Sequence, residues 1–110
     1  MTVVAEINAG TFEDEVLNAE KPVLVDFSAV WCGPCKMLKP VVDQLAEELS
    51  DELKVVELDV DHSPEIAMRY QVMGVPTLML FVNGEPRERL TGYQPKDRIT
   101  SKLAPHLAFA

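Results

Sequence analysis

The chain is poor in cysteine, tryptophan and positive charge. Its 110 residues carry two cysteines, one tryptophan and ten Lys+Arg against eighteen Asp+Glu, a net charge of −8. An acidic balance of this size speaks against nucleic acid or an anionic membrane as a main partner, and its plain consequence is solubility. No apolar run approaches the ~20 residues of a membrane span. Met1-Thr2-Val3-Val4-Ala5-Glu6 lacks a basic n-region and a continuous apolar h-region, so no signal peptide is expected and the expected location is cytoplasmic. In a reducing compartment structural disulfides are rare, and a close cysteine pair is more often catalytic or metal-binding. There is no repeat, linker or low-complexity segment, so residues 1–110 read as one domain. A chain of this size can bury roughly 65% of its unfolded surface, enough for a core without disulfide staples.

What is present is an alternation of strand and helix patterns. Residues 3–7 suit a short strand. Thr11-Phe12-Glu13-Asp14 matches a capping box and predicts a helix over about 11–19. Pro22 to Ser28 is short, branched and apolar on both faces, as a central parallel strand reads. Period two puts Val23, Val25 and Phe27 on one face and Leu24, Asp26 and Ser28 on the other, so Asp26 points into a region that should be buried. Cys35, Leu38, Val42, Leu45 and Leu49 recur at helical spacing, with Lys36, Lys39, Asp43, Glu47 and Glu48 on the opposite side. Pro34 falls in that helix's first turn; Pro40 lies mid-helix and predicts a kink. Leu53 to Val60 is a further strand, and Ser63-Pro64-Glu65 caps a short helix running to about Tyr70. Leu78 to Val82 reads as a buried strand, Asn83-Gly84 as a hairpin turn, and Arg87 to Thr91 as the return strand, ended by Gly92. Gln94-Pro95 opens a last helix carrying Ile99 and Leu103, which Pro105 should disturb. Alternation of this kind predicts a mixed α/β sheet between helices.

The chemistry concentrates in Trp31-Cys32-Gly33-Pro34-Cys35-Lys36, where strand becomes helix. A thiolate is the nucleophile of disulfide exchange, and free cysteine titrates near ~8.5. Cys32 falls at a helix N-terminus, where unpaired N–H groups favour an anion. Cys35 follows one turn later on the inward stripe. The spacing predicts an exposed attacker and a shielded resolver. A dithiol–disulfide redox pair is the favoured interpretation. The alternatives are a zinc site, a structural disulfide and a chance pairing. Zinc needs about four ligands, and only His62 and His106, more than forty residues apart, remain. A ring this small constrains little of the unfolded chain. Asp26 is either a paired or capping carboxylate or, more in keeping with its mid-strand position, the group that takes the proton of Cys35. Trp31 is either core or part of an apolar rim for protein substrates. Met37 and Met73 are expected to be packing residues, and the histidines surface residues without a role.

These residues closely resemble the thioredoxin family, whose active-site motif is Trp-Cys-Gly-Pro-Cys-Lys. Val25-Asp26-Phe27, Pro40, Asp59-Val60-Asp61, Gly74-Val75-Pro76-Thr77, Asn83-Gly84 and Gly92 follow the family's order and spacing over about residues 3–104. The resemblance implies a thioredoxin fold, a five-stranded mixed sheet of order 1-3-2-4-5 flanked by four helices. It implies a protein-disulfide reductase with no bound cofactor beyond its own Cys32–Cys35 disulfide. Electrons would come from NADPH through a flavoprotein thioredoxin reductase. It also implies a cis Pro76, with the Val75 backbone pairing with substrate and Trp31, Gly33, Pro34, Gly74 and Gly92 bordering the docking surface. The Gly-Pro pair resembles the reducing branch, and the glutaredoxin Pro-Tyr insert and glutathione pocket signature are missing.

Three departures stand out. Ser28 replaces the family's usual tryptophan or other bulky residue, which bears on the packing beneath the motif. Glu57 replaces a frequent lysine near Asp26 and is expected to raise the Asp26 pKa or share its proton; with Lys36 it is a candidate for tuning titration at the site. Pro105 and Ala108-Phe109-Ala110 differ from the family's usual helix end. The expected activity is that of a general, monomeric electron carrier for protein disulfides, or a dedicated redox partner of one enzyme. The competing class is a binding module that docks partners through Trp31, Pro34 and Pro76 without using its thiols.

Overall fold

The computed structural model describes residues 4–107. Five strands, β1 (Ala5–Ile7), β2 (Val23–Ser28), β3 (Lys54–Asp59), β4 (Thr77–Val82) and β5 (Glu85–Thr91), form one sheet of order β1-β3-β2-β4-β5. β3 is parallel to both β1 and β2, while β4 is antiparallel to β2 and β5. The mixed five-stranded sheet expected from the sequence is therefore present, in the expected order. β2 lies in the middle because both its faces are apolar enough to be covered.

Two hydrocarbon layers sandwich the sheet. On one face α1 (Gly33–Glu48) and α3 (Lys96–Leu103) pack Leu38, Val42, Leu45, Ile99 and Leu103 against Leu24, Val55, Leu78 and Leu80. On the other, a π-type helical turn over Glu13–Leu17 and α2 (Pro64–Arg69) cover Val23, Val25, Phe27, Val56 and Leu58. There Phe12, Tyr70 and Phe81 form three tilted or edge-on ring pairs with centroids 5.1–5.7 Å apart. The Asn83-Gly84 hairpin forms as expected, both residues adopting positive φ (53° and 79°). A side chain at Gly84 would also meet the Leu17 carbonyl at 2.9 Å. Pro105 acts as anticipated: α3 stops at Leu103 and tightens into a 3-10 turn over Ala104–His106.

Several local expectations are corrected. The first helix is shorter than 11–19, and its Thr11 does not cap it. The Thr11 hydroxyl instead accepts the Asn8 N–H at 3.1 Å, closing the turn before the helix. Ser63 occupies the N-cap position of α2, yet its hydroxyl is taken by the Ala9 N–H at 3.0 Å and joins α2 to the end of β1. Both hydroxyls fit a cap by sequence, but a nearer or better-oriented donor claims them. α1 keeps Pro40 inside one continuous helix, which is compatible with the kink expected there. Met37 and Met73 do not pack; both are exposed, Met73 by 93%. His106 is half-buried against Glu88 at 2.9 Å, whereas His62 is exposed. Residue 3 of the expected first strand and the Ala108-Phe109-Ala110 tail lie outside the described residues.

Candidate active site

The cysteine turn sits where β2 hands over to α1. Cys32 is the N-cap of α1, and its Sγ accepts the Cys35 N–H at 3.1 Å. The free N–H groups of a helix start favour negative charge there. Cys32 and Cys35 form a disulfide with Cα atoms 5.3 Å apart. One expectation fails: in this oxidised form Cys32 is no more open than Cys35, at 3% and 5% exposure. Both pack with Ala29, Val60 and Val75. The helix end, not accessibility, distinguishes the two sulfurs.

Asp26 lies where strand alternation places it, 3% exposed beneath this turn. Its Oδ1 has no hydrogen-bond partner among the described residues. Burial first, and the neighbouring Glu57 carboxylate second, push its pKa up to about 7; the Lys39 ammonium works against that rise and Asp43 adds to it. Glu57 faces Asp26 because the two are register partners on parallel strands. Lys36 lines the same side but is not among the charges that move Asp26.

The remaining site residues come from three distant segments. Trp31 is 67% exposed, and its Nε1–H donates to Asp61 Oδ2 at 2.7 Å. It is rim and not core. The Val75–Pro76 bond is cis. Thr77 Oγ1 donates to the Gly74 carbonyl at 2.7 Å, tying that loop to the start of β4. Gly92, at φ 82°, donates its N–H to the Pro76 carbonyl at 2.8 Å. Gly33, Pro34 and Gly74 are exposed, and Val75 packs on the cysteines. The two histidines join none of this; they pair with Asp59 and Glu88.

Two contributors were missed from sequence. Lys39 is exposed, as its place on the solvent side of α1 predicts, yet at i+4 from Cys35 it also lines the cleft beside that residue and its charge acts on Asp26. The spacing could have shown this. Asp61, which holds the tryptophan, lies thirty residues away in sequence and carried no local signal.

A redox-active cysteine pair at a helix start, above a buried carboxyl and opposite a cis-proline loop, defines a thiol–disulfide oxidoreductase. A family profile described as Thioredoxin matches residues 3–105. Thioredoxin 1 of Synechococcus elongatus is 44% identical over 107 residues, covering 97% of this chain and all of that protein. The thioredoxin of Alicyclobacillus acidocaldarius is 46% identical over 90 residues, covering 82% and 86%. The bifunctional thioredoxin reductase/thioredoxin of Mycobacterium leprae is 44% identical over 102 residues, which is 93% of this chain and 22% of that protein. The chain belongs to the thioredoxin family: it is a disulfide reductase whose Cys32–Cys35 pair is intrinsic and needs no bound cofactor. Membership implies a reductase that recharges the pair and proteins whose disulfides it reduces. Among the described residues, no helix is long and apolar enough to cross a membrane.

Proposed function

We propose that this chain is a general cytoplasmic electron carrier that works as a monomer and as one domain over residues 1–110. A flavoprotein thioredoxin reductase that draws on NADPH recharges it. In the reduced form the Cys32 thiolate attacks a substrate disulfide RS–SR′, forming Cys32–S–S–R and releasing R′S⁻. Cys35 gives its proton to the Asp26 carboxylate, and the resulting thiolate attacks Cys32 Sγ. The Cys32–Cys35 bond forms, RS⁻ leaves, and two electrons have passed to the substrate. The observation that carries this division of labour is a buried carboxyl, without a hydrogen-bond partner at Oδ1 among the described residues and raised to about 7, whose register partner Glu57 lines one cleft with Cys35. A base poised near neutral pH can both accept and release a proton at working pH.

The docking surface is the exposed rim of Trp31, Gly33, Pro34 and Gly74 with Val75, Pro76 and Gly92. The Val75 backbone is the pairing edge for an extended substrate segment. Glu57 tunes the Asp26 base; Lys36, in the first turn of α1, biases the site toward the thiolate. Insulin reduction, first with dithiothreitol and then with NADPH and thioredoxin reductase, tests the carrier role: turnover in both is expected, and a folded protein inactive in both would sink it. Cys35→Ser should trap a mixed disulfide with substrate and Cys32→Ser should not. Trapping only by Cys32→Ser would reverse the two roles.

A further inference from the structure

Cys35 borders two openings. The first is the docking face. The second is a side cleft of about 290 Å³ whose walls include Ser28, Ala29, Val30, Cys35, Lys39 and Glu57. None of Trp31, Gly33, Pro34, Gly74, Val75, Pro76 or Gly92 lines it. A bulky side chain at position 28 would occupy this volume; serine leaves it open, with room for several waters at about 30 Å³ each.

The cleft abuts the proton chemistry. Asp26 and Ser28 project from the same face of β2, two residues apart, and Asp26 is the register partner of Glu57, which lines the cleft. The cleft thus begins two residues along β2 from a buried carboxyl that does not itself line it and whose Oδ1 has no hydrogen-bond partner among the described residues. While Asp26 holds the Cys35 proton, return of that proton to Cys35 competes with the attack on Cys32 Sγ, so its escape speeds resolution. A protein substrate covers the docking face at that moment, because it is still joined to Cys32. A buried acid exchanges protons with solvent only through water or another titratable group.

We propose that the Ser28 cleft is the water-filled route by which the proton taken from Cys35 reaches solvent while a protein substrate occupies the docking face. The proton moves from Asp26 to cleft water, then to the Glu57 carboxylate or to bulk, and the Asp26 carboxylate is restored. The bond made is Cys32–Cys35, the bond broken is Cys32–SR, and the departing thiolate takes its own proton from solvent. The charged groups facing this path are Glu57 and Asp59 from β3, Glu6 from β1, and Lys36, Lys39 and Asp43 from α1. Carboxylates outnumber ammonium groups, so a proton in transit is stabilised outward, while Lys39 keeps Asp26 ionisable.

The proposal rests on Asp26 being the base for Cys35, and the test separates the two. Single-turnover resolution of a protein mixed disulfide is followed by fluorescence of Trp31, the sole tryptophan in wild type, and by thiol release in every variant. Imidazole serves as a small diffusible proton carrier. Ser28→Trp fills the cleft and Ser28→Ala leaves it open; Ser28→Leu replaces the tryptophan variant if that does not fold. Wild type and Ser28→Ala should resolve alike and accelerate with imidazole. Ser28→Trp should slow resolution roughly tenfold, lose the imidazole response, and keep the rate of the first attack by Cys32. A Ser28→Trp protein that resolves at the wild-type rate, or that is slow yet still accelerated by imidazole, overturns the cleft route. If Asp26→Asn is slow while Ser28→Trp is not, only the cleft fails. If Asp26→Asn resolves as fast as wild type, the base assignment fails with it.

Discussion

β2 shows two kinds of burial on one strand. Val23, Val25 and Phe27 face a layer of apolar and aromatic side chains with no charged group among them. Leu24, Asp26 and Ser28 face the layer under α1, and only Leu24 joins its core. Phe27 and Asp26 are adjacent and both almost completely enclosed. For the phenyl ring, removal from water is favourable, at about 25 cal/mol per Å². For the carboxyl it penalises the ionised form, which turns a surface-type acid into a group titrating near neutrality. The same enclosure therefore stabilises one face of the strand and creates reactivity on the other. The apolar face holds the site still, and the polar face carries the carboxyl proposed to take the Cys35 proton.

The contrast can be tested from both sides. The largest effect is expected on the apolar face. Phe27→Ala removes a fully buried ring and should cost about 3–5 kcal/mol in urea unfolding; a loss below ~1 kcal/mol would mean that this face is not the anchor. On the polar face the sign reverses. The folded Asp26 pKa lies above the unfolded one, so the folded protein binds the extra proton. Its stability falls as pH rises from about 4 to about 7 and then levels off. Asp26→Asn lacks this loss, so its stability relative to wild type should grow by about 4 kcal/mol between pH 4 and pH 8 in the oxidised form. A pH-independent difference would show that Asp26 is not strained by burial.

Smaller effects should separate the charges around Asp26. Glu57→Gln removes the second cause of the rise and should move the Asp26 midpoint downward, by less than burial raises it. Lys39→Met should move it upward. Titration of the Asp26 carboxyl by NMR reads both, and an unchanged midpoint in either variant would remove that residue from the site's electrostatics. The smallest effect is expected for Ser28→Ala, within about 0.5 kcal/mol in unfolding, because Ser28 is only half-buried at a cleft wall. A larger loss would mean that the serine hydroxyl is structural.

Legibility from sequence followed the range of the interaction. α1 and β2 were readable because their apolar positions repeat along the chain, and the hairpin because Asn83-Gly84 suits the positive φ both residues adopt. Caps were misjudged where a rival donor comes from elsewhere: the Ser63 hydroxyl goes to Ala9, fifty-four residues away. The methionines were misplaced because their side chains fit core and surface alike. The expected openness of Cys32 failed because in the disulfide form the pair sinks between Ala29, Val60 and Val75, which come from different loops.

By itself the sequence determined the cysteine pair, its place at a helix start, the buried position of Asp26 and the order of strands and helices. All of these depend on local periodicity or on motif residues adjacent in the chain. Tertiary structure alone decided which charges surround the carboxyl, that Asp61 holds Trp31, that Gly92 closes on Pro76, and that Ser28 leaves a second opening beside Cys35. The physical reason is distance. Coulomb forces, desolvation and empty volume depend on separation in space, and the parallel register of β2 with β3 brings Glu57 beside Asp26 across thirty-one residues of chain.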